Sequence, residues 1–517
     1  MKLDFARHAR RNLEAGLLFS GIRLLFPFLN RTLFLWLLGP EFLGLNGLFA
    51  SVLGVLSLAE LGFGTAVVCS MYKPVADGDK ELIRAYLRFY RSIYRCIGTA
   101  IFCIGLCLLP FLGRLVNGGV PPGIHLHILY LVHLTNTAMG YFLFAYRGSV
   151  LAAYARRDTL SHIASVVQVG QYLTVFGVLL LTRNAAHWAP AASYYAYVGT
   201  TVVFTVLNNL LLWKESRRLF PGLEPDGTLE PARRRAVVAD VRDIFLHKVG
   251  GVVSNQSDNL VISSTLGLVA VAAYGNYYYV VTSVAGLVGS VSGAMLGGFG
   301  NKIHTETRET NFRLFLKANR LMMLATASCA AVMTAVYQPF IEVWTRQDPT
   351  LLRHVVTPLL MVLYFFVNQS RQMLLTFKAA ASLWKGDRLK PIVAGAANLA
   401  ISIALVVWLP EGWKLDGVIF GTILSLLFIQ IPWETHVLFT GFFTPAQKHR
   451  YWMDQINFAV LTVWLSFGSW LAAFSVMESG VTGFLFKIIA AAGAATAALL
   501  ILCRRDFLDF LNVFKRH

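Results

Sequence analysis

The chain has 517 residues, 56% of them hydrophobic and only 14% charged, with a mean hydropathy of +0.59. A soluble chain carries about 25% charged residues, and apolar runs of about 20 residues, the length of a membrane-spanning helix, recur here throughout. The composition therefore excludes a soluble globular protein and points to an all-α polytopic membrane protein. The net charge of +18 does not indicate nucleic acid, because no soluble domain is long enough. The basic residues instead gather in alternate loops, the signature of loops kept on the cytoplasmic side.

The basic N-terminus, "MKLDFARHARRNLEAG", leads into an apolar run without a small-x-small cleavage pattern, which reads as an uncleaved first span. Fourteen spans are predicted, at about 14–38, 42–70, 93–113, 125–146, 161–182, 190–213, 247–267, 270–296, 318–340, 351–377, 391–409, 416–439, 456–476 and 482–503. The loops of one side then hold only Arg114, Arg183, Arg346, Arg353 and Lys414. This asymmetry predicts that both termini are cytoplasmic. Tryptophans such as Trp36, Trp188, Trp213, Trp344 and Trp408 fall at predicted helix ends, where an interfacial belt would place them.

Span 1, "SGIRLLFPFLNRTLFLWLLG", contains Arg23, Asn30 and Arg31. An arginine at the bilayer centre costs at least about 2.5 kcal/mol, so such residues face a protein interior or a water-filled cavity. Asn30 lies seven residues after Arg23 and shares its helical face, while Arg31 is rotated by about 80°. For Arg23 two readings stand, an ion pair with Glu60 of "SLAELGFG" in span 2 or a guanidinium facing solute. Arg31 either snorkels to the outer surface or joins the same polar stripe. In span 4 the histidines of "HLHILYLVH" match no compact metal site. The six cysteines include no CxxC, so neither a zinc site nor a disulfide framework is expected. The clusters "SYYAYVG" (with Tyr194) and "YGNYYYVV" (with Tyr274 and Tyr277) fit either an interfacial belt or sugar-stacking surfaces.

The stretch 214–246, rich in Pro, Gly, Arg and Glu, divides six spans from eight and reads as a cytoplasmic linker. A repeat at an offset of 228 lays "LNRTLFLWLLGPEFLGLNG" over "SDNLVISSTLGLVAVAAYG", placing Asn30-Arg31 on Asp258-Asn259 and Leu38-Gly39 on Leu266-Gly267. Six spans per repeat preserve orientation, so the repeats are parallel, with substrate expected between two lobes. The predicted layout is an N-lobe (1–213), the linker, a C-lobe (247–440) and two additional helices with a basic tail (441–517). Asp258 is either a coupling site for a proton or Na⁺ or a hydrogen-bonded structural acid. Arg371, in "VNQSRQMLLTFK", sits among amides within two turns of the inner surface. Arginine forks make paired hydrogen bonds to phosphate oxygens and keep their charge in a low dielectric. Arg23, Arg31 and Arg371, with Asn30, are therefore candidates to hold a diphosphate, and Glu60 and Asp258 are the candidate coupling or cavity acids.

No GxxxxGK[ST], HExxH or GxSxG is present, and "DGD" (77–79) lies in a short loop without a nucleotide-binding domain. No catalytic residue, cofactor or metal is expected, and the outer loops are too short for a membrane polymerase or ligase.

Three phrases carry a family resemblance. The run "LGPEFLGLNGLFASVLGVLSLAELGFGTAVVCSMYKPVADGDKELIRAYLRFYRSIYR" resembles the first two helices and first inside loop of bacterial polysaccharide flippases. "SDNLVISSTLGLVAVAAYGNYYYVVTSVAGLVGSVSGAMLGGFGNKIHTE" is similar to their helices 7 and 8, and "WKGDRLKPIVAGAANLAISIALV" with "LDGVIFGTILS" to helices 11 and 12. These flippases share a superfamily with multidrug extruders and the lipid II flippase. The resemblance implies two six-helix lobes plus two helices that open alternately to each side. It also implies a cationic cavity for a polyprenyl-diphosphate oligosaccharide, drive by an ion gradient or membrane potential, and residence in the bacterial inner membrane. A polysaccharide polymerase or glycosyltransferases are its implied partners. Arg23 and Arg31 match cavity positions of that pattern loosely, Glu60 and Asp258 more closely. A multidrug or small-solute extruder is the competing reading.

Overall fold

The computed structural model describes residues 25–502 apart from 61–62, 155, 185–189, 382, 384 and 479. Among these the regular elements are helices, without a strand. Among the described residues eight helical stretches are long and apolar enough to cross a membrane, and a ninth is a pair, Leu126–Phe142 and Ala145–Ala153, bent by 43°. Each predicted span has a helical counterpart, and the described part of span 1 is α1, Leu25–Leu38.

The chain forms two compact units, Met1–Val252 with Ser263–Val271, and Val253–Ile262 with Ala272–His517. Unit 1 contains α1, α2 (Pro40–Leu56), α3 (Phe63–Asp77), α4 (Lys80–Leu108), α5 (Leu126–Phe142), α6 (Gly148–Ala153), α7 (Arg157–Asn184) and α8 (Pro190–Leu219). Gly39 separates α1 from α2 at φ +95°, a left-handed conformation that glycine adopts without a Cβ penalty. Pro40 then opens α2, where its missing N–H is harmless. The repeat partner of Gly39, Gly267, has φ +86° between α9 (Pro231–Leu266) and α10 (Leu268–Thr305). A Cβ on Gly267 would sit 2.7 Å from the Asn117 carbonyl oxygen. Asn117 ties this turn into unit 1 by donating from its Nδ2 to the Thr265 carbonyl at 2.6 Å. Close by, the α10 backbone at Leu268 lies against Gly44 of α2, where a Cβ would come within 1.9 Å of the Leu268 oxygen.

Two departures from the sequence reading have local causes. Span 2 is not one rod: α2 gives way to a 3₁₀ turn at Ser57–Glu60 before α3. The predicted inside loop around "DGDKELIRAYLRF" is largely helix, because Asp79 caps α4 by accepting from the Leu82 amide at 2.9 Å. Ile83, Tyr86, Leu87, Tyr90 and Tyr94 then bury one face of α4 at helical spacing. The stretch 214–246 is helical at both ends, since α8 runs to Leu219 and α9 begins at Pro231.

Unit 2 is organised on α11 (Arg308–Trp344), whose apolar window is 56% buried. Around it lie α12 (Val356–Ser370), α13 (Gln372–Ala380), α14 (Lys390–Trp408), α15 (Lys414–Ser425), α16 (Ile431–Gly441), α17 (Pro445–Phe474) and α18 (Gly480–Leu502). The two additional spans, α17 and α18, pack on α11 through Phe458, Leu465, Ala495 and Leu499 against Met323, Leu324, Ala327 and Ala331. Arg320 of α11 grips Asp454 of α17 with two bonds, 2.9 and 3.0 Å. Such paired geometry fixes the angle between the helices as well as their contact. Span 10 is interrupted at Arg371, and span 12 contains a π turn at Leu426–Gln430.

Candidate functional site

In unit 1 the polar pair of α1 meets α2 and α8. The Tyr197 hydroxyl lies within hydrogen-bonding reach of Asn30 and Asn46, and the Arg31 charge bears on it. Asn30, Arg31 and Tyr197 are all half-buried. The Asn30 Oδ1 is buried and has no hydrogen-bond partner among the described residues. Phe34, one turn along α1, packs edge-on against Tyr194 and Tyr197, with ring centroids 5.6 and 4.9 Å away. Tyr194 is fully buried against Phe34 and Phe42, so in this conformation it offers no face to a sugar.

In unit 2 the corresponding node forms around Asp258. Tyr274 donates to one carboxylate oxygen at 2.9 Å and Thr422 to the same oxygen at 3.2 Å. The Asn398 amide reaches the other oxygen at 3.4 Å. Asp258 is 4% exposed, and these three described partners are all neutral. Tyr274 stacks on Tyr278, and Tyr364 lies beyond it. Tyr277, three residues on, is buried and bonds to Gln338 at 3.0 Å and to the Arg353 amide at 3.2 Å.

The two nodes are repeat equivalents. An offset of 228 carries Asn30 to Asp258 and Asn46 to Tyr274, and an offset of 225 carries Tyr197 to Thr422. The first, second and sixth spans of each repeat thus supply one polar side chain each to a buried contact. In unit 1 the contact is neutral with an arginine beside it; in unit 2 it is acidic.

Glu60 stands in the 3₁₀ turn that interrupts span 2. It accepts from the Tyr94 hydroxyl at 2.5 Å and the Tyr141 hydroxyl at 2.6 Å, one on each oxygen. Arg23 lies outside the described residues, so the structure bears on Glu60 alone of that pair.

Arg371 is 8% exposed and belongs to a buried charged network. Its guanidinium donates to Glu434 through Nε at 2.9 Å and through Nη2, and to Gln430 at 2.7 Å through Nη1. The π turn in span 12 ends on Gln430, and Glu434 follows four residues later in α16, so the two acceptors share one helical face just past the distortion. Glu434 is also held by Lys390, which lies 3.2 Å from Asp387, and Asp387 is bonded by Lys378. The loop carboxyl of Asp387 feels burial, which would raise it, but Lys390 and Lys378 outweigh that and hold it below the usual carboxylate range. Arg371 is therefore neutralised from within the protein in this conformation. Glu434, an acid in the apolar phrase "IQIPWETHV", was legible as intramembrane charge but escaped the sequence reading, as did Arg147 of "YFLFAYRGSV".

No protein-family model matches the chain, and no curated protein sequence matches it significantly. Solved structures are similar in fold. An inward-facing multidrug-resistance MATE-family transporter of the MOP superfamily superposes with a TM-score of 0.61 at 13% identity, over 85% of this chain and 95% of its own. The lipid II flippase MurJ in an inward closed conformation gives a TM-score of 0.61 at 13% identity, over 94% of this chain and 99% of its own. An outward-facing MATE-family transporter gives 0.51 at 14% identity, over 86% and 94%. The chain is a multi-pass helical membrane protein with the fold of these transporters.

Proposed function

We propose that the chain is a flippase that moves polyprenyl-diphosphate-linked oligosaccharide from the inner to the outer face of the bacterial cytoplasmic membrane by alternating access. The pair of repeat-equivalent nodes carries this reading, with an arginine beside one and an unneutralised acid within the other. In a conformation that admits the headgroup, Arg31 would donate to the diphosphate and the Asn30 carbonyl would accept from a sugar hydroxyl. A buried carboxylate with neutral partners takes up a proton or a small cation, which gives Asp258 the role of coupling to an ion gradient. Glu60, gripped by two tyrosines, is the second candidate acid. Arg371 reaches substrate only in a conformation that frees it from Glu434. A polymerase or glycosyltransferases would supply and consume the lipid-linked sugar.

The test is where lipid-linked oligosaccharide accumulates in cells lacking the gene and complemented with wild type or Arg31→Ala at equal protein level. Inner-face accumulation rescued only by wild type supports the reading, and normal export in the deletion strain overturns it. A multidrug extruder is the second reading, favoured by the tyrosine-lined acid at Asp258, which would suit an organic cation. Drug resistance that falls on deletion while sugar export continues would establish that alternative.

A further inference from the structure

Residues 220–230 of unit 1, "FPGLEPDGTLE", are clasped by four arginines from three separate elements. Arg147, in the 3₁₀ turn Ala145–Arg147 between α5 and α6, is 2% exposed. It donates to the Leu223 carbonyl at 2.8 Å and to the Glu224 carboxylate. The other Glu224 oxygen lies 2.9 Å from Nε of Arg217 on α8. Arg84 on α4 donates to Asp226 at 2.6 Å and to the Glu224 carbonyl at 3.3 Å, and Arg88 donates to the Gly227 carbonyl at 3.1 Å. Three guanidiniums thus bond two carboxylates and a fourth a backbone carbonyl, and the buried Nε of Arg147 has no partner among the described residues.

The two sides of this clasp differ in rigidity. The arginines stand on helices and on a buried turn. The carboxylates stand on a loop whose backbone is held by Leu223 and Leu229, which are 3% and 2% exposed, and by the Asp226 amide, which donates to the Arg84 carbonyl at 3.3 Å, while the carboxylate side chains themselves reach outward. Between those anchors Gly227 is at φ +76°, and the side chains of Glu224 and Asp226 are 46% and 61% exposed. A carboxylate bridged by two guanidiniums has the contacts of a bound phosphate group. Glu224, bridged by Arg147 and Arg217, and Asp226, bonded by Arg84, together place two anionic groups across three arginines, the pattern of a diphosphate. A diphosphate would also bring the negative charge that this cluster lacks.

We infer that Arg84, Arg147 and Arg217 form a diphosphate-binding site on the basic face of unit 1, and that Glu224 and Asp226 occupy it as an internal stand-in that the ligand displaces. The site needs only the two carboxylates to swing out. Leu223 and Leu229 stay seated, and the Leu223 carbonyl keeps Arg147 oriented. Its role as a loading point for a lipid-linked diphosphate rests on the proposed flippase function and on the cytoplasmic placement of this face. The anion chemistry stands without either.

The test uses the full chain in nanodiscs of zwitterionic lipid, with inorganic pyrophosphate as the probe. Glu224→Gln/Asp226→Asn removes the internal competitor and should tighten pyrophosphate binding about ten-fold or more, a gain of one tethered charged contact. Adding Arg217→Gln, an exposed residue whose loss leaves the buried turn intact, should abolish most of that gain. A double variant that binds no tighter than wild type, or a gain that survives Arg217→Gln, overturns the proposal. Competition by a polyprenyl diphosphate in the disc identifies a lipid headgroup as the source. Competition by a soluble nucleoside diphosphate alone upholds the site and cuts its tie to translocation, whereas competition by neither overturns it. If pyrophosphate binds as expected but deletion leaves sugar export normal, the flippase reading falls alone; export lost without pyrophosphate binding sinks only this site.

Discussion

Replacing Glu434 by glutamine removes the one carboxylate that neutralises both Arg371 and Lys390. Glu434 is 0% exposed, Arg371 8% and Lys390 4%, so neither cation can turn to water without moving its helix. Asp387 remains, but it already serves Lys378 and lies 3.2 Å from Lys390. Three buried cations would then share one acid, and breaking a buried pair from one side costs about 3–5 kcal/mol. Glutamine keeps one carbonyl acceptor for the Arg371 fork, which places the expected loss near the lower end of that range. The assay is the unfolding free energy of the purified protein in micelles, measured by denaturant titration with a tryptophan signal. Adding Lys390→Met removes the stranded cation and should recover a substantial part of the loss, since an apolar side chain of similar length replaces a charge. A single variant within about 1 kcal/mol of wild type would refute the reasoning, because it would mean that the network is hydrated and each ion is screened by itself.

Four further outcomes are expected. Asp258→Asn keeps a carbonyl acceptor for Tyr274 and Thr422 and gives up only the long 3.4 Å acceptance from the Asn398 amide, so unfolding should shift by no more than about 1–2 kcal/mol while ion-driven transport in vesicles is lost. Unchanged transport would return Asp258 to a structural role. Glu60→Gln leaves one of the Tyr94 and Tyr141 hydroxyls without its acceptor and should cost about 1–3 kcal/mol, read in the same unfolding assay. Gly39→Ala and Gly267→Ala both force a side chain into left-handed backbone at about 1–3 kcal/mol. The Gly267 variant should be the less stable, because only there does a Cβ collide with the Asn117 oxygen; equal losses would argue against that close approach. Because Lys390 and Lys378 hold Asp387 below an ordinary carboxyl, its contribution is fully present above about pH 4 and is lost as pH falls below that. The stability of wild type should therefore drop on acidification below about pH 4 more steeply than that of Asp387→Asn, as measured by thermal unfolding across that range.

The helices were legible in the sequence because each span is a long and predominantly apolar run, broken by only a few polar residues. The breaks inside them were not. "LLGPEF" carries a glycine and a proline at the end of span 1, yet the 3₁₀ turn at Ser57–Glu60 and the π turn at Leu426–Gln430 have no comparable mark. Packing sets those positions, with Glu60 drawn to two tyrosines and Gln430 to Arg371. The site was half legible for the same reason. Asp258 announces itself as a charge in an apolar helix, and the repeat offset pairs it with Asn30, next to Arg31. Their partners, Asn46, Tyr197, Asn398 and Thr422, are ordinary polar residues 16 to 167 positions away, chosen only when the helices meet. Arg371 looked available to solute because Glu434, 63 residues on, could not be matched to it by spacing.

The left-handed glycines at 39 and 267 and the matched contacts behind them have a genealogical consequence. A chain that repeats its own turn and its own three-helix contact has the form of a duplicated ancestor whose copies stayed joined. Backbone geometry was retained where a second copy had no freedom to vary, at the turn. Side-chain chemistry diverged where it had, so that an amide in one copy became an acid in the other. Such a molecule can change the chemistry of one node by drift in one copy at a time, without redesigning the scaffold that both copies inherit.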